Sequence, residues 1–178
     1  MLRTRSLGVV AAVVALASGC GSSEPAKGTT PADYVRGDAQ VLSVAYPKDW
    51  QPGPDQSVAL SRQAPDRSAF LEVVKDLSTT ADAGQLDSLA EMGPQLQTKG
   101  YRRTSSKKVE LAGAKAAERL DFTFDGFGGA AGVPGQGVFV AVLGANRHAH
   151  LVRVTFQRGK LSDGTLKDIV SSIKVGSS

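Results

Sequence analysis

The sequence predicts an α+β fold in which an antiparallel sheet is flanked by helices. Three observations carry this: strand-like alternation comes in runs of neighbouring segments, helical spacing is found only after residue 82 and again after residue 162, and Gly, Pro, Asn and Asp punctuate the strand-like runs.

Residues 41–46 place Leu42, Val44 and Tyr46 on one face with smaller residues opposite, and the run stops at Pro47. This predicts a strand closed by the turn Pro47-Lys48-Asp49-Trp50. Residues 58–61 and 69–75 are two further apolar runs, separated by turn-forming residues 63–67, and complete an antiparallel meander. From Asp82 the period changes. Leu86, Leu89, Ala90, Gly93 and Leu96 share one helical face, Gly100 supplies a stop, and Pro94 inside the pattern predicts a kink or an early break.

Strand signals return over residues 101–111, and Ala112-Gly113 reads as a hairpin turn. Residues 115–124 put Leu120, Phe122 and Phe124 on one face against Arg119, Asp121 and Thr123. Residues 138–143 and 150–156 form a last pair about Gly144-Ala145-Asn146-Arg147. Ser162 or Asp163 then caps a closing helix with Leu166, Ile169, Val170 and Ile173 at helical spacing.

The N-terminus has a different character. Arg3 and Arg5 precede an apolar run over residues 7–16, shorter than the roughly 20 residues of a spanning helix, which is the layout of a cleaved secretory signal. Leu16-Ala17-Ser18-Gly19 then leads into Cys20, the single cysteine of the 178 residues. This motif resembles the lipobox of bacterial lipoproteins, with Ala17 standing where leucine is preferred. The resemblance implies removal of residues 1–19, a diacylglyceryl group on the Cys20 thiol, and attachment to the outer face of the cell membrane. Two acyl chains suffice for stable anchoring where one does not. Residues 20–32 read as the lipidated cysteine and a flexible linker, residues 33–175 as one domain, and residues 176–178 as a disordered tail. Removing Arg3 and Arg5 from the 21 basic residues leaves 19 against 17 acidic ones, a net +2. No nucleic-acid partner follows from that balance.

The order of elements, with Tyr46-Pro47-Lys48-Asp49-Trp50 ending an early strand and Ile169-Val170-Ser171-Ser172-Ile173-Lys174-Val175 closing the chain, is similar to the PsbP-like family, including the actinobacterial LpqN-type lipoproteins. That resemblance implies a central antiparallel sheet between helices, and a non-catalytic binding or assembly role in the envelope.

The candidate chemistry is sparse. His148 and His150 have the spacing to present two imidazoles on one strand face, but zinc requires three or four ligands and no cysteine is free to help. They read as partly exposed strand-end residues, and no metal is predicted. Gly126, Gly128 and Ala131 match a loose dinucleotide-loop spacing within residues 125–137. Pro134 and further glycines lead into a strand where that chemistry needs a helix, so no cofactor is predicted. The same stretch reads as a long loop that offers Phe127 and Val133 to a partner. Arg102, Arg103, Lys107 and Lys108 cluster at a strand start, where they could meet anionic headgroups near the anchor. Tyr46 and Trp50 read first as core plugs and second as the wall of an apolar ligand pocket.

There is no Gly-x-Ser-x-Gly elbow and no available thiol, so no enzyme is predicted. The expected function is that of a membrane-anchored envelope lipoprotein with a non-catalytic protein-binding or assembly domain. The alternatives are a carrier or sensor of a small apolar ligand and, behind it, an envelope hydrolase.

Overall fold

The computed structural model describes residues 28–176. In chain order the strands are β1 (Tyr34–Asp38), β2 (Leu42–Pro47), β3 (Gln51–Pro52), β4 (Leu60–Gln63) and β5 (Ala69–Ser78). Helix α1 (Leu86–Gln97) follows, after a 3-10 turn at Ala83–Gln85. Next come β6 (Arg102–Lys108), β7 (Ala116–Asp125), a second 3-10 turn at Phe127–Gly129, β8 (Pro134–Leu143), β9 (Ala149–Gln157), α2 (Asp163–Ser172) and β10 (Lys174–Val175).

The mixed α+β class is the one expected, with a second sheet that the sequence did not announce. A seven-stranded antiparallel sheet runs in the order β3-β4-β5-β9-β8-β7-β6, and a separate three-stranded sheet in the order β1-β2-β10. The large sheet is buried on both faces. On one, Val138, Val140 and Val142 of β8 and Val152, Val154 and Phe156 of β9 meet the small sheet (Leu42, Val44, Tyr46) and α2 (Leu166, Ile169, Val170). On the other, Phe139, Ala141 and Leu143 join Leu120, Phe122, Phe124 and Leu151 beneath Leu86 and Ala90 of α1. Strands covered on both sides have no polar face, which is why β8 is an unbroken apolar run.

The closing helix follows its prediction. Ser162 is the N-cap, its hydroxyl accepting a hydrogen bond from the Thr165 N–H at 3.0 Å.

Two expectations need correction. Helix α1 does not break early at Pro94. Only three residues follow the proline within the helix, so its missing N–H falls near the end, and its ring is buried in line with Leu86 and Ala90. The glycine-rich stretch also does not remain a loop to residue 137, because β8 begins at Pro134. Gly135 and Gly137 pair across the ladder with Phe124 and Phe122, whose rings lie over the glycine backbones. A Cβ at Gly135 or Gly137 would stand 2.3 or 2.1 Å from the opposing ring, so only glycine lets the strand form beneath the aromatics.

Candidate functional site

Helix α1 is held asymmetrically. Along its β6 side, Arg103 reaches Asp87 and Glu91 at 3.0 Å each, Tyr101 donates its hydroxyl to Glu91 at 2.6 Å, and the Ser106 hydroxyl bonds Asp87. Burial and the neighbouring Glu91 carboxylate push the Tyr101 phenol well above its ordinary range, so it stays protonated and donating.

On the β5 and β9 side no such fastening is formed among the described residues. An open furrow of about 300 Å³ runs there between α1 and the sheet, lined by Val74, Leu77, Leu89, Met92, Leu96, Phe139, Leu151 and Arg153. Met92 and Leu96, four residues apart and so on one helical face, remain 52% and 79% exposed along its edge.

The only charge in the furrow wall is Arg153. Its Nε is 3.4 Å from a Glu72 carboxylate oxygen but makes no hydrogen bond. Burial raises the pKa of Glu72, against the opposing pull of Arg153 and with a small addition from Asp55.

This furrow was not foreseen, and the helical spacing placed Leu96 in the core. The buried ridge of α1 is Leu86, Ala90 and Pro94, at strict intervals of four. Leu89 is half-buried and Leu96 is left outside because α1 meets the sheet along that ridge, and the open furrow separates its next stripe from Val74, Leu77 and Leu151. The available signal was Met92, an apolar residue outside the predicted face that widens the apolar arc of the helix beyond what one contact can cover.

Most of the other candidate residues serve the fold. Trp50 and Tyr46 are buried in the core between the sheets. The Tyr46 hydroxyl accepts a hydrogen bond from Arg62 Nε at 2.8 Å, and the Arg62 guanidinium stands 5.2 Å from the ring centre. Phe127 is largely buried against Phe70 and Phe124 with Val133 half-buried beside it, and both line a hollow with Phe70 and Gln157. Arg103 is occupied by the α1 carboxylates, which separates it from exposed Arg102, Lys107 and Lys108. Cys20, with Leu16, Ala17, Ser18 and Gly19, lies outside the described residues.

The two imidazoles do lie side by side, 6.4 Å between ring centres, with His148 just before β9 and His150 inside it and 1% exposed. His150 is therefore not the partly exposed strand-end residue expected. Its Nδ1 accepts a hydrogen bond from the Asp76 N–H at 3.1 Å, and His148 Nδ1 contacts the Asp76 carboxylate at 2.7 Å. Among the described residues no group of three or more His, Cys, Asp or Glu could hold a metal ion.

Burial lowers the His150 pKa; the Asp76 carboxylate opposes this and His148 adds to it. The folded chain thus holds this imidazole neutral below the ordinary histidine value of about 6.5. As pH falls through about 6.5 the unfolded chain takes up a proton that the folded chain refuses, so stability is full above that value and declines toward the lowered folded pKa. Denaturation at about pH 7.5 and about pH 5.5 should show this loss, and His150→Gln should flatten it while lowering stability at the higher pH. An unchanged slope in His150→Gln would assign the pH dependence to other groups.

Among the described residues no helix is long and apolar enough to cross a membrane. No family model matches this chain, and no curated protein matches it. Solved structures do. A protein of Bacteroides thetaiotaomicron VPI-5482 aligns over 82% of this chain at 12% identity with a TM-score of 0.53. This chain spans about half of it (48%). LpqN of Mycobacterium tuberculosis, described as involved in cell envelope biogenesis, aligns over 76% of this chain and 83% of its own length at 13% identity, with a TM-score of 0.50. Protein PA94 of Pseudomonas aeruginosa, of unknown function, aligns at 20% identity over 72% of this chain and 85% of its own, and its TM-score of 0.44 carries no argument. At these identities the likeness concerns the fold alone: this chain shares its mixed α+β architecture with LpqN, a mycobacterial protein involved in cell envelope biogenesis.

Proposed function

We propose that the chain is a membrane-anchored lipoprotein of the cell envelope whose domain is a non-catalytic protein-binding or assembly module. The observation that supports this is the exposed apolar edge of α1, Met92 and Leu96, along an open furrow on a helix otherwise tied down by charged groups. Sites for small apolar ligands enclose most of the ligand, commonly 70–90% of its surface. A furrow open along its length gains more from a protein that brings its own cover, so the carrier reading is the lesser one. The lipobox-like motif at Cys20 and the fold shared with an envelope protein point to the same compartment.

Measurements of two kinds test the reading. Cell fractionation should find the wild-type chain with the membranes, and labelled fatty acid should mark the wild type but not Cys20→Ser; a wild-type chain without label removes the anchor. Amine crosslinking in intact envelopes should yield a discrete protein-linked species that disappears in Met92→Glu and Leu96→Glu. Both side chains are exposed, so these variants should fold with stability changes within about 0.5 kcal/mol. A species that persists in both moves the docking surface away from α1.

A further inference from the structure

A two-fold interface places one surface patch against its own copy, so that patch must carry both a projection and a recess that receives it. Helix α1 carries both. Met92 and Leu96 project, and beside them runs a furrow of about 300 Å³ floored by Val74, Leu77 and Leu151. Gly93 lies between the projecting residues, and nothing stands within 4 Å of the position a Cβ would take. A second backbone can approach closely at that point.

Charge permits the same pairing. Asp87 and Glu91, the charged residues of α1, are held by Arg103 of their own chain, and Arg153 in the furrow wall faces Glu72. Two α1 faces brought together therefore confront each other with compensated charges.

The point where the chain enters the fold adds a geometric condition. The Gly28 N–H bonds the Ser171 carbonyl at 2.9 Å, and its own carbonyl accepts from Arg36 at 2.7 Å. This places the entry on the layer of α2 and the small sheet, on the other side of the large sheet from α1. Residues 20–28 span at most about 28 Å when fully extended. Laying the α1 face on the membrane would use nearly all of that reach across a three-layer domain, whereas two chains standing side by side can turn their α1 faces toward each other with reach to spare.

We propose that the α1 face is the seam of a two-fold homodimer, in which Leu96 of each copy enters the furrow of the other and the helices cross near Gly93. This rests on reading α1 as a protein-docking surface and Cys20 as the anchor. A 12-residue helix presents a strip only about 18 Å long, less than a standard interface of about 800 Å² per partner requires. The pairing is accordingly weak in dilute solution and strengthened by confinement to one membrane.

Cys20 is the single native cysteine, which makes disulfide trapping a clean test in the full chain in its own membrane. Gly93→Cys suits both the helix and the open space at that position. Under mild oxidation it should give a disulfide-linked species of twice the monomer mass, several-fold more abundant than from Val35→Cys, an exposed position on the small sheet. Adding Leu96→Glu should reduce the yield to the Val35→Cys level. Equal yields from positions 93 and 35, no linked species from Gly93→Cys, or linkage to a different protein would each overturn the homodimer. The last outcome would leave α1 standing as a docking surface. A disulfide-linked dimer of the wild-type chain would expose a free Cys20 thiol and overturn the anchor instead.

Discussion

Replacing Phe122 with alanine is expected to lower the unfolding free energy by about 3–5 kcal/mol, a large share of the 5–15 kcal/mol that ordinary domains possess. The ring is 2% exposed and central to the aromatic cluster beneath α1. It meets Phe139 edge-on at 5.0 Å between centres, with Tyr101 at 5.4 Å and Phe124 at 5.9 Å on its other sides. Its remaining face lies on the backbone of Gly137, where even a methyl group would come within 2.1 Å of the ring. Gly137→Ala should therefore cost about 1–3 kcal/mol by forcing the ring out of place. The two losses are coupled through one contact, so Gly137→Ala should cost distinctly less in a Phe122→Leu background than in the wild type. Equilibrium denaturation of the four proteins measures this directly. Additive losses would mean that the ring and the glycine do not depend on each other.

Ser172→Ala should cost about 1–3 kcal/mol, although it removes a single oxygen. Ser172 is at the end of α2, just before β10, and is buried. Its hydroxyl accepts the Ala45 N–H of β2 at 2.8 Å and donates to the Ile169 carbonyl at 2.7 Å. It thereby ties the C-terminal helix to a strand 127 residues earlier in the chain. Without that oxygen the buried Ala45 N–H has lost its partner, and the cost of an unpaired buried donor exceeds the net worth of the bond itself. Ser171→Ala is the internal comparison. Its hydroxyl makes a long 3.3 Å contact to the Asp168 carbonyl from a half-buried position, and its loss should stay within about 0.5 kcal/mol. Thermal or chemical unfolding of the pair separates the two serines; equal losses would remove the special role of Ser172.

Elements whose residues alternate or repeat over several turns were legible. Leu120, Phe122 and Phe124 in β7, the apolar run of β8 and the Leu166, Ile169 and Val170 stripe of α2 all lie where periodicity placed them, because each buried face repeats within its own segment. β1 and β10 were not legible. Tyr34-Val35-Arg36-Gly37-Asp38 has no apolar alternation, and β10 has two residues; both are strands because β2 lies between them and supplies their hydrogen bonds. The candidate surface was misread for a related reason. Arg103 was grouped with its basic neighbours in sequence, but its partners Asp87 and Glu91 come from a different element. Leu96 was given to the core on helical spacing alone, and that spacing does not record along which line of the helix the sheet makes contact.

What the sequence determined by itself was the set of local choices: that the alternating segments of β2, β7, β8 and β9 become strands, where α2 starts, and that Gly113 adopts a turn conformation suited to glycine. These follow from steric preferences and apolar periods that operate over a few residues. Tertiary structure alone decided that β2 leaves the large sheet for a second one, that His150 is interior, and that Met92 and Leu96 remain outside beside an open furrow. Burial is a relation between distant surfaces, settled by which element arrives opposite and how much area it covers. The sheet meets the Leu86, Ala90 and Pro94 ridge, and the next stripe of α1 faces the open furrow instead.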